Sequence, residues 1–168
     1  MKKTILTLCL LLSLALGASA QQLKIGYFSY SSILEQLPEY SVAISNLDTL
    51  RTQYAAELKA AEEEFNEKYE LFLDQQATLA DAIKQKRMAD LQALLERNVA
   101  FRKESERLLK QAEDEALAPL RDKIQAAIQS LGETEGYIIL VNTDSDAVPY
   151  FSPAFSEDVT QQIIKLTK

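Results

Sequence analysis

The fold is decided by residues 39–118, which read EYSVAISNLDTLRTQYAAELKAAEEEFNEKYELFLDQQATLADAIKQKRMADLQALLERNVAFRKESERLLKQAEDEALA. This stretch contains neither glycine nor proline, and Ala, Leu, Glu, Lys, Gln and Arg dominate it. These residues are strong helix formers, so the whole stretch is expected to be helical. A single rod of this length would span about 120 Å, and a hairpin that folds back on itself is the more economical solution.

The turn of this hairpin is predicted at residues 75–78. The segment Asp74–Thr78 is polar, and Thr78 is followed three residues later by Asp81. This spacing resembles a capping box, in which a threonine side chain starts a helix by accepting a backbone hydrogen bond. We therefore expect two antiparallel helices, the second of which begins at Thr78.

Apolar residues recur on both arms at intervals of three and four, which predicts a seam between two helices. The predicted seam contains Leu47, Leu50, Tyr54, Leu58, Ala61, Phe65, Tyr69 and Phe72 on the outgoing helix, and Leu91, Leu94, Asn98, Phe101, Ser105, Leu108 and Ala112 on the return helix. Most of each helix circumference is charged, so this stripe cannot build a globular core. The hairpin is expected to protrude into solvent. Contact between the aromatic residues of the stripe and an apolar ligand is the alternative, and a seam is the favoured interpretation.

The remaining segments, residues 21–38 and 119–168, predict a small base. Three short stretches rich in β-branched and aromatic residues indicate strands at Leu23–Phe28, Gly136–Val141 and Val148–Phe151. The last is expected to be an edge strand because it contains a proline. The predicted fold class is therefore α+β, mostly α, with a hairpin on a β-rich base.

Helix-breaking and helix-capping residues predict where the helices of the base begin and end. Pro119 should kink or break the return helix near residues 115–119, because proline removes a backbone donor. Gly132 should end the helix that follows, and Asp158 should cap a C-terminal helix. Residues 142–146 (NTDSD) are expected to form a turn.

A base this small buries little surface, and an apolar strand is an open template for pairing. We therefore expect copies of the chain to associate through their strands into a barrel-like body. A monomeric sheet packed on the C-terminal helix is the alternative. The candidate interface residues are Ile25, Tyr27, Tyr137, Ile139, Val141 and Tyr150.

The N-terminus predicts export. Lys2 and Lys3 precede an apolar run from Ile5 to Leu16, and small residues follow up to Ala20. This order is typical of a secretory signal sequence, here residues 1–20, cleaved after Ala20. The sole cysteine of the sequence lies within that segment, so the exported chain would have no thiol and no disulfide.

Composition excludes several classes of function. The sequence has 18 basic and 25 acidic residues, two of the basic ones in the signal, so the exported chain carries 16 − 25 = −9 and is not expected to bind nucleic acid. It has no histidine and no phosphate-binding loop. Glu62, Glu63 and Glu64 are interpreted as a solvated face rather than a carboxylate catalyst, and Asp144 and Asp146 as turn formers rather than calcium ligands. No enzymatic activity, cofactor or metal is expected.

The order of these motifs resembles the Skp/OmpH family of periplasmic chaperones. The resemblance covers residues 21–168 and includes Lys24-Ile25-Gly26-Tyr27, Pro38-Glu39, Pro119 before Lys123-Ile124, Gly136-Tyr137 and Asp158-Val159-Thr160. It implies a periplasmic homotrimer that holds unfolded outer-membrane proteins, without ATP, in a cavity between three helical tentacles. Well-known members of that family have strongly basic tentacles, whereas the positive surplus here is confined to the return helix.

Given that resemblance, the predicted client-binding residues are Lys84, Lys86, Arg87, Arg97, Arg102 and Lys103, which also permit weak contact with a membrane surface. The main alternative is a structural coiled-coil adaptor of the cell envelope that binds one folded partner. A carboxylate enzyme is a distant third.

Overall fold

The computed structural model describes residues 23–145 and 148–168. The predicted signal sequence, its cleavage point and Asp146 of the predicted turn lie outside these ranges. In chain order the described elements are β1 (Lys24–Phe28), α1 (Tyr30–Glu35), α2 (Pro38–Gln75), α3 (Asp81–Glu135), β2 (Tyr137–Asn142), β3 (Ser156–Asp158) and α4 (Thr160–Leu166).

Helices α2 and α3 form the predicted hairpin. They contain 38 and 55 residues and so extend about 57 Å and about 82 Å. Ion pairs across the hairpin join Glu39 to Lys123 at 2.9 Å and Arg51 to Glu113 at 3.3 Å, which shows that the two helices run antiparallel. Charge thus supports the pairing of the helices along their length.

The turn occupies residues 76–80, beside the expected tip, but the capping prediction for Thr78 is wrong. The return helix begins at Asp81, and Ala80 occupies its N-cap without a side-chain hydrogen bond. The hydroxyl of Thr78 instead donates to the carbonyl oxygen of Gln75 at 2.9 Å. Thr78 therefore closes the end of the outgoing helix rather than starting the next one.

The seam agrees with the spacing of the apolar residues. Fourteen of its fifteen predicted members are buried or half-buried, and Tyr69 is the exception. Only Leu47, Leu94 and Ser105 among them are fully buried. The hairpin is therefore held by a thin line of contacts, as expected for helices whose surfaces are mostly charged.

Helix α3 does not break at Pro119, so of the predicted kink or break the break is wrong. It continues through the proline and through Gly132 to Glu135, and ends where Gly136 adopts a left-handed φ of 70°. Leu117 and Leu120 are buried on either side of the proline. This packing against the base compensates for the backbone hydrogen bond that a proline cannot make. Residues 120–131 therefore belong to α3 and do not form a separate helix of the base.

The sheet has three strands in the order β2-β1-β3, and both pairings are parallel. The prediction of an edge strand at Val148–Phe151 is wrong, since these residues have no regular structure. The third strand is Ser156–Asp158, which pairs with Ile25–Tyr27. Phe151 instead stacks its ring on Tyr27, with 5.0 Å between the ring centroids.

The core lies at the base end of the molecule, where α1, α4 and the part of α3 from Leu117 onward pack with the sheet. Its innermost side chains are Ile33, Ile124, Val159 and Ile163, none of which is measurably exposed. Asp158 accepts a hydrogen bond of 2.9 Å from the backbone of Thr160 at the start of α4, but it is not the N-cap as predicted, because Val159 occupies that position without a side-chain hydrogen bond. The rest of the hairpin extends away from this core.

Candidate functional site

The hairpin has two open flanks, one on each side of its seam, and they differ in chemistry. We call the first the apolar flank. Helical spacing brings exposed apolar side chains of both helices together on it: Tyr69 (44% exposed), Leu73 (43%), Met88 (55%), Leu95 (48%) and Val99 (61%). Single exposed apolar residues are normal in proteins, but a contiguous group on a protruding arm indicates a contact surface.

A groove runs along the apolar flank. It consists of two hollows of about 680 Å³ and 230 Å³ that share Phe65 and Leu95 in their walls. The first lies near the tip and the second extends toward the base as far as Leu58. The rings of Phe65 and Tyr69 are stacked, with 5.9 Å between their centroids, and form part of its floor.

The remaining walls of this groove are mostly uncharged. Amide side chains line it at Asn66, Gln76, Gln85 and Gln92. The charged side chains in its lining are Glu62 and Arg102, which form an ion pair with each other at the end nearer the base. The groove therefore offers apolar surface and neutral hydrogen-bonding groups, with its charge neutralised in place.

The opposite flank, which we call the charged flank, contains a hollow of about 380 Å³. Its lining combines five charged and four apolar side chains: Glu64, Lys68, Arg87, Asp90 and Arg97, with Leu71, Phe72, Leu91 and Leu94. Lys68 donates a hydrogen bond to Glu64, and this bond, with a smaller effect of Arg97, holds the pKa of the Glu64 carboxyl below its usual range. Opposite charges are thus interspersed on this flank, whereas the lining of the apolar flank has a single ion pair.

The structure does not bring the six predicted client-binding cations together. Arg102 lies at the end of the groove and is paired with Glu62, whereas Arg87 and Arg97 lie on the charged flank. Lys84 is half-buried near the tip. Lys86 and Lys103 are exposed, and they line neither the groove nor the hollow of the charged flank. Their role in binding remains a prediction.

The apolar flank was not predicted from the sequence. Met88, Leu95 and Val99 fall outside the seam pattern, and each looks like an isolated exposed residue. Their intervals of seven and four place them on one side of α3, and Tyr69 and Leu73 share a side of α2. This spacing was the signal available in the sequence. It indicates a face on each helix, and the two faces form one surface only when the register of the helices is known.

The predicted interface residues lie around the sheet in different environments. Ile139 and Tyr150 are exposed, whereas Ile25, Tyr27 and Val141 are half-buried. The ring of Tyr137 belongs to the core, with Lys24 4.1 Å above its centre and its hydroxyl donating to Glu157 at 2.9 Å. Burial, assisted by that hydrogen bond, raises the pKa of Tyr137.

Other exposed apolar groups of the base were not predicted as interface. They include Leu23, Ile138 and Phe155. Residue Ile138 forms a bulge, because Lys24 pairs with Tyr137 while Ile25 pairs with Ile139. Bulges re-aim side chains at the edges of sheets, and this one leaves two adjacent isoleucines exposed on the outermost strand.

Glu62, Glu63 and Glu64 are each paired with a cation of the hairpin rather than with one another. Within residues 23–145 and 148–168, no cluster of His, Cys, Asp and Glu is placed to hold a metal ion. Among the helices described, none has the length and apolar character needed to cross a membrane.

Comparison with known proteins agrees with the fold. The chain is 28% identical over 172 residues to the Chaperone protein Skp of Yersinia enterocolitica, and 27% identical over 169 residues to the Chaperone protein Skp of Pectobacterium atrosepticum. Both alignments span the whole of both proteins. The crystal structure of an OmpH-like outer membrane chaperone from Caulobacter crescentus CB15 superposes with a TM-score of 0.63 at 18% identity, over 85% of this chain and 82% of that one.

The sequence profile of the family described as "Outer membrane protein (OmpH-like)" matches residues 24–166. That match includes β1, the complete hairpin and the strands and helix of the base. The family is one of chaperones and not of enzymes, which agrees with the expected lack of enzymatic activity. The resemblance predicted from the sequence is confirmed: this chain belongs to the OmpH-like family, together with the Skp chaperones.

Proposed function

We propose that the chain is exported to the periplasm, where it holds unfolded outer-membrane proteins without ATP and keeps them from aggregating. Its full-length similarity to two Skp chaperones supports this assignment. The name of the family supports outer-membrane proteins as the clients.

The observation that carries the proposal is the apolar flank. The groove lies on the part of the hairpin beyond the core, where its exposed side chains are available to a client. Full burial of one such side chain contributes about 1.5–3 kcal/mol, and these are already half covered. Several contacts of this strength retain an unfolded chain and still release it without nucleotide hydrolysis.

We further propose that three copies assemble through their bases into a homotrimer. The exposed Ile138, Ile139, Tyr150 and Phe155 are apolar groups that a second copy would cover. The bulged outer strand β2 also has one unpaired edge, which invites pairing. Three hairpins around one axis would enclose a cavity that separates one client from the next.

In this proposal the six cations have a secondary role. Lys86, Arg87 and Arg97 lie outside the apolar groove and would contact acidic parts of a client or, weakly, an anionic membrane surface. Exposed charges contribute only a few tenths of a kcal/mol each and are screened by salt. They would therefore affect the rate of client capture more than its strength.

The test uses the exported protein and an unfolded β-barrel outer-membrane protein diluted from denaturant. Light scattering should show that about one chaperone trimer per client suppresses aggregation in the absence of nucleotide, and that fewer trimers suppress it in proportion. Native mass spectrometry of the same sample should show a trimer that gains one client. A protein that leaves aggregation unchanged but retrieves one folded envelope protein would be the adaptor instead.

A further inference from the structure

We propose that the groove on the apolar flank takes its client one extended strand at a time, with alternate side chains in the groove and the main chain against its amide groups. This inference rests on the proposed function and names the form in which a client is recognised. The inference concerns the conformation of the bound peptide and the order of its apolar and polar residues. It can be tested separately from the ability to suppress aggregation.

The lining of the groove explains why the bound segment should alternate apolar and polar residues. It is open on one side, so a bound chain presents only one of its faces to Phe65, Met88 and Leu95. In an extended chain successive side chains point to opposite faces, so one face consists of every second residue. A segment with alternating apolar and polar residues therefore fills the groove and leaves its polar side chains in water.

The length of the groove matches one strand. Its lining extends along α2 from Leu58 to Gln76, which is about 27 Å at about 1.5 Å per residue. An extended chain rises about 3.3 Å per residue, so about eight residues fit. A membrane-spanning β-strand has about 9–11 residues with alternating character, which makes such a strand the occupant of suitable size.

The amide groups account for the main-chain contact. Each has both donors and an acceptor, which suits a peptide backbone whatever its sequence. Gln76 donates to the carbonyl of Leu73 and Gln92 donates to Glu96. Across the described part of the chain, the side chains of Asn66 and Gln85 make no hydrogen bond and are exposed. These two are placed to pair with a bound backbone.

A third helix is the competing occupant, because amphipathic helices also bind in apolar grooves. A helix satisfies its own backbone hydrogen bonds and would gain nothing from Asn66 and Gln85. It would also need apolar residues at intervals of three and four rather than two. The two occupants therefore differ in peptide pattern and in their dependence on the amides.

The test uses two fluorescent peptides of about ten residues and identical composition, one with alternating apolar residues and one with helical spacing. Fluorescence anisotropy with the exported trimer should show that the alternating peptide binds at least about fivefold more tightly. Asn66→Ala with Gln85→Ala should weaken the alternating peptide about threefold and leave the helical one unchanged, since single neutral hydrogen bonds contribute about this much.

The matched variants are Met88→Glu with Leu95→Glu in the groove and Leu71→Glu on the charged flank. The groove pair should abolish the preference for the alternating peptide, and Leu71→Glu should preserve it. Equal or tighter binding of the helical peptide, or a preference that survives the groove pair, would overturn the inference. If aggregation is still suppressed in that case, the proposed function stands and only strand recognition fails.

Discussion

The side-chain amide of Asn98 donates a hydrogen bond of 2.8 Å to the main-chain carbonyl oxygen of Ala61 on the opposite helix. It occupies a seam position where an apolar residue would be expected. Because a half-buried amide is satisfied there only when the two helices have this register, the bond favours one alignment of the hairpin. That alignment brings Tyr69 and Leu73 beside Met88 and so builds the apolar flank.

Asn98→Ala should lower the free energy of unfolding by about 1 kcal/mol, the usual net contribution of one hydrogen bond. Urea denaturation followed by circular dichroism measures this change. Asn66→Ala is the control, because Asn66 is exposed and should change stability by less than about 0.5 kcal/mol. Equal effects of the two substitutions would show that the bond does not stabilise the hairpin.

Ile124→Ala should destabilise the base by about 2–5 kcal/mol, and Ile124→Val by about 0.5–1.5 kcal/mol. Ile124 is fully enclosed in the core, where a smaller side chain leaves a cavity. Val42→Ala, at a residue that is 59% exposed, should have little effect. Thermal unfolding of the three variants checks this ranking. A Val42→Ala variant as unstable as Ile124→Ala would contradict it.

Gly136→Ala should destabilise the chain by about 1–2 kcal/mol because of its backbone alone. The φ of 70° at this residue is unfavourable for a side chain, whereas no atom lies within 4 Å of the position a Cβ would take. Gly136→Asn should recover part of the loss, since asparagine tolerates left-handed backbone better than alanine does. If alanine and asparagine were equally destabilising, a steric cause would be indicated instead.

Stability should fall as the pH drops below about 4.5, and Glu39 should contribute to this fall. The ammonium of Lys123 donates a hydrogen bond to Glu39 at 2.9 Å and lowers its pKa from the usual 4.5. The folded chain thus holds this proton less tightly than the unfolded chain does. Its contribution is therefore present above pH 4.5 and disappears as the pH falls through the lowered pKa.

Glu39→Gln should consequently make the loss of stability below pH 4.5 shallower. Denaturation midpoints at several acidic pH values measure this slope in the variant and the unchanged chain. Lys123→Met removes the same hydrogen bond and should have a similar effect on the slope. Identical slopes in all three proteins would mean that the ion pair is not linked to folding.

Much of this architecture could be predicted from the sequence, because its main signals are local. The absence of glycine and proline over residues 39–118 predicts the hairpin, and regular spacing predicts nearly all of its seam. The errors concern places where tertiary packing overrides local preference. Pro119 remains helical because Leu117 and Leu120 are held in the core. The third strand is formed by Ser156–Asp158 and not by Val148–Phe151.

The candidate site was less predictable for a related reason. The cations predicted as client-binding residues are conspicuous in the sequence, whereas Met88, Leu95 and Val99 are not. The apolar flank is formed by residues from two helices that are distant in sequence, and the Asn98 bond that helps align them has no sequence pattern of its own. Only the folded hairpin shows that these residues adjoin.

The central claim is that the apolar flank binds the client, and the most direct test is the dissociation constant for an unfolded outer-membrane protein. Met88→Glu with Leu95→Glu should raise this constant at least about tenfold, which corresponds to about 1.4 kcal/mol. Leu71→Glu introduces one such charge on the other flank and should change the constant less than about twofold. An unchanged constant for the groove pair, with weaker binding for Leu71→Glu, would contradict the account.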